Sequence, residues 1–220
     1  MASTRRVSRQ REAGEATRRE TRRKLLVAAR AEFAERGYAA ATVNRIAERA
    51  DVAVQTLYHA WGSKRALLRA VMETAITGED EIGLEANVLP VPLLAGLDPA
   101  AADDPKKLLA HLVHSFRLLC ERASSAWVTY RDAAGADPDV AADWQQLMEI
   151  RRSNFRLLLD RIPSKQLRPG LTKALAADTA WVIASPDTHD QLVRRGGYSM
   201  DEFEKWVFNT LCVVLLRNPL

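Results

Sequence analysis

The chain has 220 residues with 32 lysines and arginines against 28 aspartates and glutamates, a net charge of +4, and 47% of its residues are hydrophobic. That apolar content supports a packed core rather than a disordered chain, and no run approaches the roughly 18 consecutive apolar residues of a membrane-spanning helix. The basic N-terminus has no apolar segment behind it, which argues against a secretory signal, and Cys120 and Cys212 lie far apart in apolar surroundings, as reduced core residues of a cytoplasmic protein do. The charge is unevenly placed: residues 1–75 hold 16 basic and 8 acidic side chains, a balance of +8, and the remainder is at −4. A basic third on an acidic body is expected to meet a polyanion if a nucleic-acid-reading fold lies in the same third.

In chain order, residues 1–17 are rich in Arg, Ser and Ala without an apolar face, and are expected as a disordered basic arm. Leu25, Leu26, Ala29 and Phe33 then recur at helical spacing up to Gly37, a helix C-cap candidate. Thr42 is the N-cap candidate of a second helix, with Arg45 where a capping box has Glu. Ala50-Asp51-Val52 makes a tight break before a third short helix, roughly Val54 to Ala60. Gly62-Ser63 ends it, and Ser63 caps a fourth helix that carries Leu67, Leu68, Val71 and Met72 inward. Asn87 to Asp104, with Pro90, Pro92, Gly96 and Pro99, is expected as a connector. Long helices follow from Pro105 to Gly135, with Ser124-Ser125 a candidate break or kink, and from Asp137-Pro138 to about Ile162, then 171–185, a short one from Pro186, and 199–217. Period-2 strand patterns and repeats are lacking, so the class is all-α, with about nine or ten helices. The expected division is an arm over 1–17, a three-helix head over 18–63, and a larger helical domain over 64–220 joined to the head by the fourth helix.

Short helices joined by a three- or four-residue turn fit a helix-turn-helix. Ala47 is small where the two helices cross, and Asp51 tolerates unusual backbone angles in the turn. Val54, Leu57 and Trp61 anchor one face of the third helix, while Gln55, Thr56 and His59 face away and suit base edges: Gln pairs with adenine, Thr with a thymine methyl. Arg45 reaches base or backbone from the second helix, and Arg18, Arg19, Arg22 and Arg23 are further cations in reach of phosphates or the minor groove.

The stretch Thr42-Val43, Ile46-Ala47, Ala50-Asp51-Val52, Leu57-Tyr58, Trp61, Ser63-Lys64 and Leu67-Leu68 resembles the DNA-binding signature of the TetR family of transcriptional regulators, over about Arg19 to Met72. It departs from the usual pattern with Asp51 for Gly in the turn and Trp61 for Phe. The resemblance implies that Thr42, Tyr58 and Lys64 contact phosphates, as hydroxyls and an ammonium at a helix start are able to. It also implies a homodimer on a palindromic operator, its recognition helices about 34–36 Å apart, a small-molecule effector, and repression as the default.

The residues themselves support the dimer. From Trp206 to Leu216 only Asn209 is strongly polar and nothing is charged, and Asp178 is the only charge between Ala174 and Pro186. Helices 171–185 and 199–217 are therefore expected to form a four-helix interface about a two-fold axis. An apolar effector site is expected in the middle helices, from Phe116, Trp127, Tyr130, Met148, Arg151, Phe155 and Trp181, with Leu147, His111, His114 and Asn154 as further candidates. His111 and His114 have no third ligand nearby, so no metal and no cofactor is expected. Glycine-rich phosphate loops, paired-carboxylate helices and nucleophile elbows are lacking, so catalysis is not expected. The alternative is a DNA-binding regulator that is constitutive or controlled by a protein partner.

Overall fold

A computed structural model describes residues 2–78 and 104–219, with side chains from residue 14 onward. The expected connector from Asn87 lies outside the described residues except for Asp104. The helices are α1 (Ala2–Ala40), α2 (Val43–Arg49), α3 (Val54–Trp61), α4 (Lys64–Thr77), α5 (Pro105–Ala134), α6 (Pro138–Leu159), α7 (Lys173–Ile183), α8 (Pro186–His189) and α9 (Met200–Leu215). Among the described residues there is no strand, and one isolated antiparallel bridge joins Leu167 to Leu216. The chain divides into two compact units, Met1–Asn87 with Ser125–Ala142 and Val88–Ser124 with Asp143–Leu220.

Helix α1 differs from its sequence expectation at its start and agrees with it at Gly37. It starts at Ala2, where the pattern predicts a disordered arm over 1–17. The reason is local: apart from Gly14, residues 9–20 are dominated by Arg, Glu, Ala and Gln, strong helix formers that sustain a helix without an apolar face. At the other end Gly37 breaks the helical geometry with φ 73° and ψ 166°, an extra turn following to Ala40. Only glycine adopts such angles freely.

In the first unit α1, α2, α3 and α4 pack on one another around Leu25, Phe33, Ile46, Leu57, Leu67, Leu68 and Met72, all almost wholly buried. Each such side chain contributes about 1.5–3 kcal/mol by leaving water. The caps follow the sequence closely. Thr42 Oγ1 accepts from the Arg45 N–H at 3.3 Å and Ser63 Oγ from the Ala66 N–H at 3.0 Å. Between α2 and α3 the Val52 N–H donates to the Ala47 carbonyl at 3.0 Å, and Asp51 takes φ 54°, the only non-glycine positive φ among the described residues. Arg49 fastens α2 to α1 through Glu32 at 2.9 Å and Glu35 at 2.6 Å.

The second unit is built on one continuous core that includes Leu109, Phe116, Phe155, Leu158, Ala177, Phe203, Val207 and Leu211. Arg151, 9% exposed, spans from α6 to the end of α7, where its guanidinium donates to the carbonyls of Trp181 (2.7 Å) and Ala184. Burial pushes its pKa down to about 10, so it remains a cation at neutral pH, set against the negative end of a helix dipole. After α8 the chain makes a π-helical turn over Asp190–Arg195. Buried Asp190 receives Arg194 at 2.9 Å and Arg195 at 3.0 Å, and His189 packs edge-on against Phe203 at 5.3 Å. Ser199 and Glu202 form a complete capping box at the start of α9.

The backbone angle at Asp51 and the burial of His189 each have a measurable consequence. Glycine relieves the strained angle at Asp51, so Asp51→Gly is expected to raise unfolding free energy by up to about 1 kcal/mol, and Asp51→Val to lower it by about 1–2 kcal/mol. Denaturant titration of the full chain measures both, and an unaffected valine variant refutes the strain at this position. Burial holds the His189 imidazole below its ordinary value of 6.5, with Asp190 opposing and Arg194 adding to the shift. The unfolded chain then binds a proton that the folded chain refuses, so this contribution is present above pH 6.5 and is lost as pH falls below it. The melting-temperature advantage of the wild type over His189→Gln should therefore shrink on acidification and stay constant in alkaline buffer.

Candidate nucleic-acid interface

The site begins with α3, whose two faces are separated cleanly. Leu57 and Trp61 are buried in the first unit, whereas Gln55, Tyr58 and His59 are exposed and Thr56 is half-buried. Tyr58 is 48% exposed. Thr42 and Arg45, at the start of α2, are likewise exposed. The capping bond uses the Thr42 oxygen as acceptor and leaves its proton to donate outward. Six of the seven expected DNA-contacting residues thus reach the surface of one small unit, on two helices held by the Asp51 turn.

Lys64 has a different position from the one its pattern suggests. Its ammonium donates to the carbonyls of Tyr38 at 2.9 Å and Ala41 at 3.0 Å, and lies 4.2 Å from the centre of the Tyr38 ring. Burial lowers its pKa, with Asp137 opposing. In this structure the ammonium is directed at the end of α1. The Tyr38 hydroxyl in turn donates to Asp137 at 3.4 Å, and burial together with that carboxylate pushes it up to about 12. A second unforeseen contact is Arg22, whose guanidinium stacks 4.3 Å above the Trp61 ring. The larger indole at this position is the one available signal, because it offers a better cation–π face than Phe.

The expected effector residues are divided. Trp127 and Tyr130 are buried in the first unit. In the second, Phe116 and Phe155 belong to the packed core, Met148 and Trp181 are half-buried, and Arg151 lies 5.1 Å from the Phe155 ring and 5.5 Å from that of Trp181. His111 lies 3.5 Å from the Ser115 hydroxyl and His114 pairs with Glu204 at 3.0 Å. Asn154 Nδ2 and Trp181 Nε1 are buried without a hydrogen-bond partner.

Residues 25–71 match the sequence profile of a family described as bacterial regulatory proteins, tetR family. Comparison with curated proteins gave no match. Among solved structures the chain is similar to a TetR-like transcriptional regulator from Rhodococcus sp. RHA1, at 19% identity and a TM-score of 0.59, over 87% of this chain and 93% of the other. It is also similar to SmeT, solved as a complex with triclosan, at 21% identity and a TM-score of 0.68, over 90% and 92% of the two chains. NalD, described as the secondary repressor of the MexAB-OprM multidrug efflux pump in Pseudomonas aeruginosa, has 17% identity and a TM-score of 0.59, with 92% and 98% covered. The helix-turn-helix built from α2 and α3 lies within the segment, residues 25–71, that matches the tetR family of bacterial regulatory proteins, and the chain shares the fold of these solved structures over most of its length.

Proposed function

We propose that the chain is a homodimeric repressor that binds a palindromic operator and is released from it by a small apolar or amphipathic ligand. The observation that carries this reading is the outward face of α3, where Gln55, Tyr58 and His59 stand exposed on a helix anchored from behind by Leu57 and Trp61. An amide, a phenol and an imidazole on one short helix suit base edges and phosphates in a major groove.

The dimer is supported by exposed apolar residues seven apart. Leu175 and Val182 are 54% and 57% exposed on α7, and Trp206 and Val213 are 37% and 50% exposed on α9. A seven-residue interval returns to the same helix face, so each helix presents a stripe that water alone does not stabilise. A two-fold axis through α7 and α9 buries both stripes against their copies.

The effector class is supported by the solved SmeT complex with triclosan and by the aromatic content of the body, including Trp127, Tyr130 and Trp181. Asn154 Nδ2 and Trp181 Nε1, buried and unpartnered, are the polar donors that a ligand satisfies most directly. Arg151 is already committed to two carbonyls and anchors a ligand only by sharing those bonds. Release requires the ligand to favour, by differential contact energy, an arrangement in which the two heads no longer fit the operator. One observation favours the alternative without an effector: Phe116 and Phe155, each 1% exposed, are consumed by the core.

Selection of bound sites from a random duplex pool by the full chain is expected to return a palindrome, and a non-symmetric site refutes the dimeric reading. Gln55→Ala is expected to weaken the selected site by about 5- to 150-fold while leaving unrelated duplexes alone. Val213→Glu is expected to convert a sedimenting dimer to monomer, an interface that fails if the wild type is already monomeric at micromolar concentration. Triclosan serves as the first effector probe, followed by a panel of apolar compounds. Compounds that bind yet leave operator affinity unchanged refute induction and support the alternative.

A further inference from the structure

Helix α1 and helix α3 enclose a groove of about 630 Å3 within the first unit, lined by Glu15, Arg18, Arg19, Arg22, Thr56 and His59 among others. Three guanidinium groups face one carboxylate there, on the stretch of α1 that precedes the family match at residue 25. Arg18 and Arg22 are four apart and so share a helix face. Gathering like charges in a concavity raises the local potential, and a folded protein tolerates this where an anion completes the site.

Arg22 supplies the second observation. Its guanidinium is held over Trp61 at 4.3 Å, which fixes its direction, and its Nη2 atom is buried without a hydrogen-bond partner. A cationic donor oriented by stacking and left unsatisfied is arranged for an acceptor that arrives from outside. Thr56 and His59, expected from the sequence as base readers, line the same groove and add a hydroxyl and an imidazole.

The geometry points to this groove as a phosphodiester clasp: Arg18, Arg19 and Arg22 of α1, with Thr56 and His59 of α3, grip the backbone of the duplex whose bases Gln55 reads. The occupant is duplex DNA because the charge is complementary and because one wall of the groove is α3 itself. The inference rests on the proposed DNA-binding function and assigns to α1 a part in it that carries affinity without sequence choice. Arg18 and Arg19 are exposed, so their removal spares the core.

The test uses the full chain with two duplexes of equal length, the selected operator and an unrelated sequence, titrated across salt concentrations. Arg18→Ala with Arg19→Ala should weaken both duplexes by a similar factor, tenfold or more near physiological salt. The slope of log affinity on log salt should become shallower by about 0.9 for each phosphate that is no longer neutralised, close to two for the pair. Arg22→Lys, which keeps the charge but not the planar stack, should weaken binding of both duplexes with little change in slope. Gln55→Ala should act on the operator alone. If the double variant keeps wild-type affinity and slope while Gln55→Ala still loses the operator, the clasp is refuted and DNA reading by α3 stands. If the wild type binds neither duplex, both fail together.

Discussion

The reading head depends on the ammonium of Lys64. It lies at the first residue of α4 and holds the carbonyls of Tyr38 and Ala41, where α1 ends. The segment between those two points, residues 42–63, contains α2, the turn and α3. One cation therefore closes a loop around the helix-turn-helix, and with its ends fixed the segment has less freedom to lose when its own short helices pack. Helices of seven and eight residues are too short to be stable alone. Their geometry is imposed by this closure, by the Arg49 bonds to Glu32 and Glu35, and by the apolar anchors Ile46, Leu57 and Trp61.

The same device recurs in the second unit. Arg151 closes the end of α7 by donating to the carbonyls of Trp181 and Ala184. Both cations are partly or largely withdrawn from water, and both occupy the carbonyl end of a helix, where the backbone itself supplies the negative partner. The arrangement avoids the need for a buried carboxylate. Along α7, Ala176, Ala177 and Ala180 pack inward, while Leu175 and Val182 remain at the surface.

Much of this is legible in the sequence because it depends on local chemistry. The caps at Thr42 and Ser63, the break at Gly37 and the positive φ at Asp51 each follow from what a single residue type permits. The buried faces of α1 to α4 follow from helical spacing. Two kinds of feature are not legible. A lysine at the start of a helix has the same pattern whether it turns toward a phosphate or toward the preceding helix, and only the tertiary position of Ala41 decides. Likewise Phe116, Phe155 and Arg151 satisfy the description of a ligand site and of a core equally well, because both require apolar rings with a few polar atoms. The helical state of residues before Arg18 escapes a sequence reading for another reason: periodicity detects a buried face, and a helix that buries none leaves only its propensity to be read.

The electrostatic footprint of the head is set by direction as well as by sum. Residues 1–75 carry a surplus of positive charge, but the surplus is not uniformly available to a polyanion. Lys64 is turned inward, Arg49 and Arg36 are paired with Glu32, and Arg23 is paired with Glu20. These cations are largely neutralised before any ligand arrives. Arg18, Arg19, Arg22 and Arg45 are not among these pairs, and each lies on or beside the helices that carry Gln55 and Tyr58. Counterion release counts only charges that meet phosphates. The relevant quantity is therefore the subset of cations outside such pairs, and among the described side chains Arg18, Arg19, Arg22 and Arg45 belong to it and lie on α1 and α2, which pack against α3.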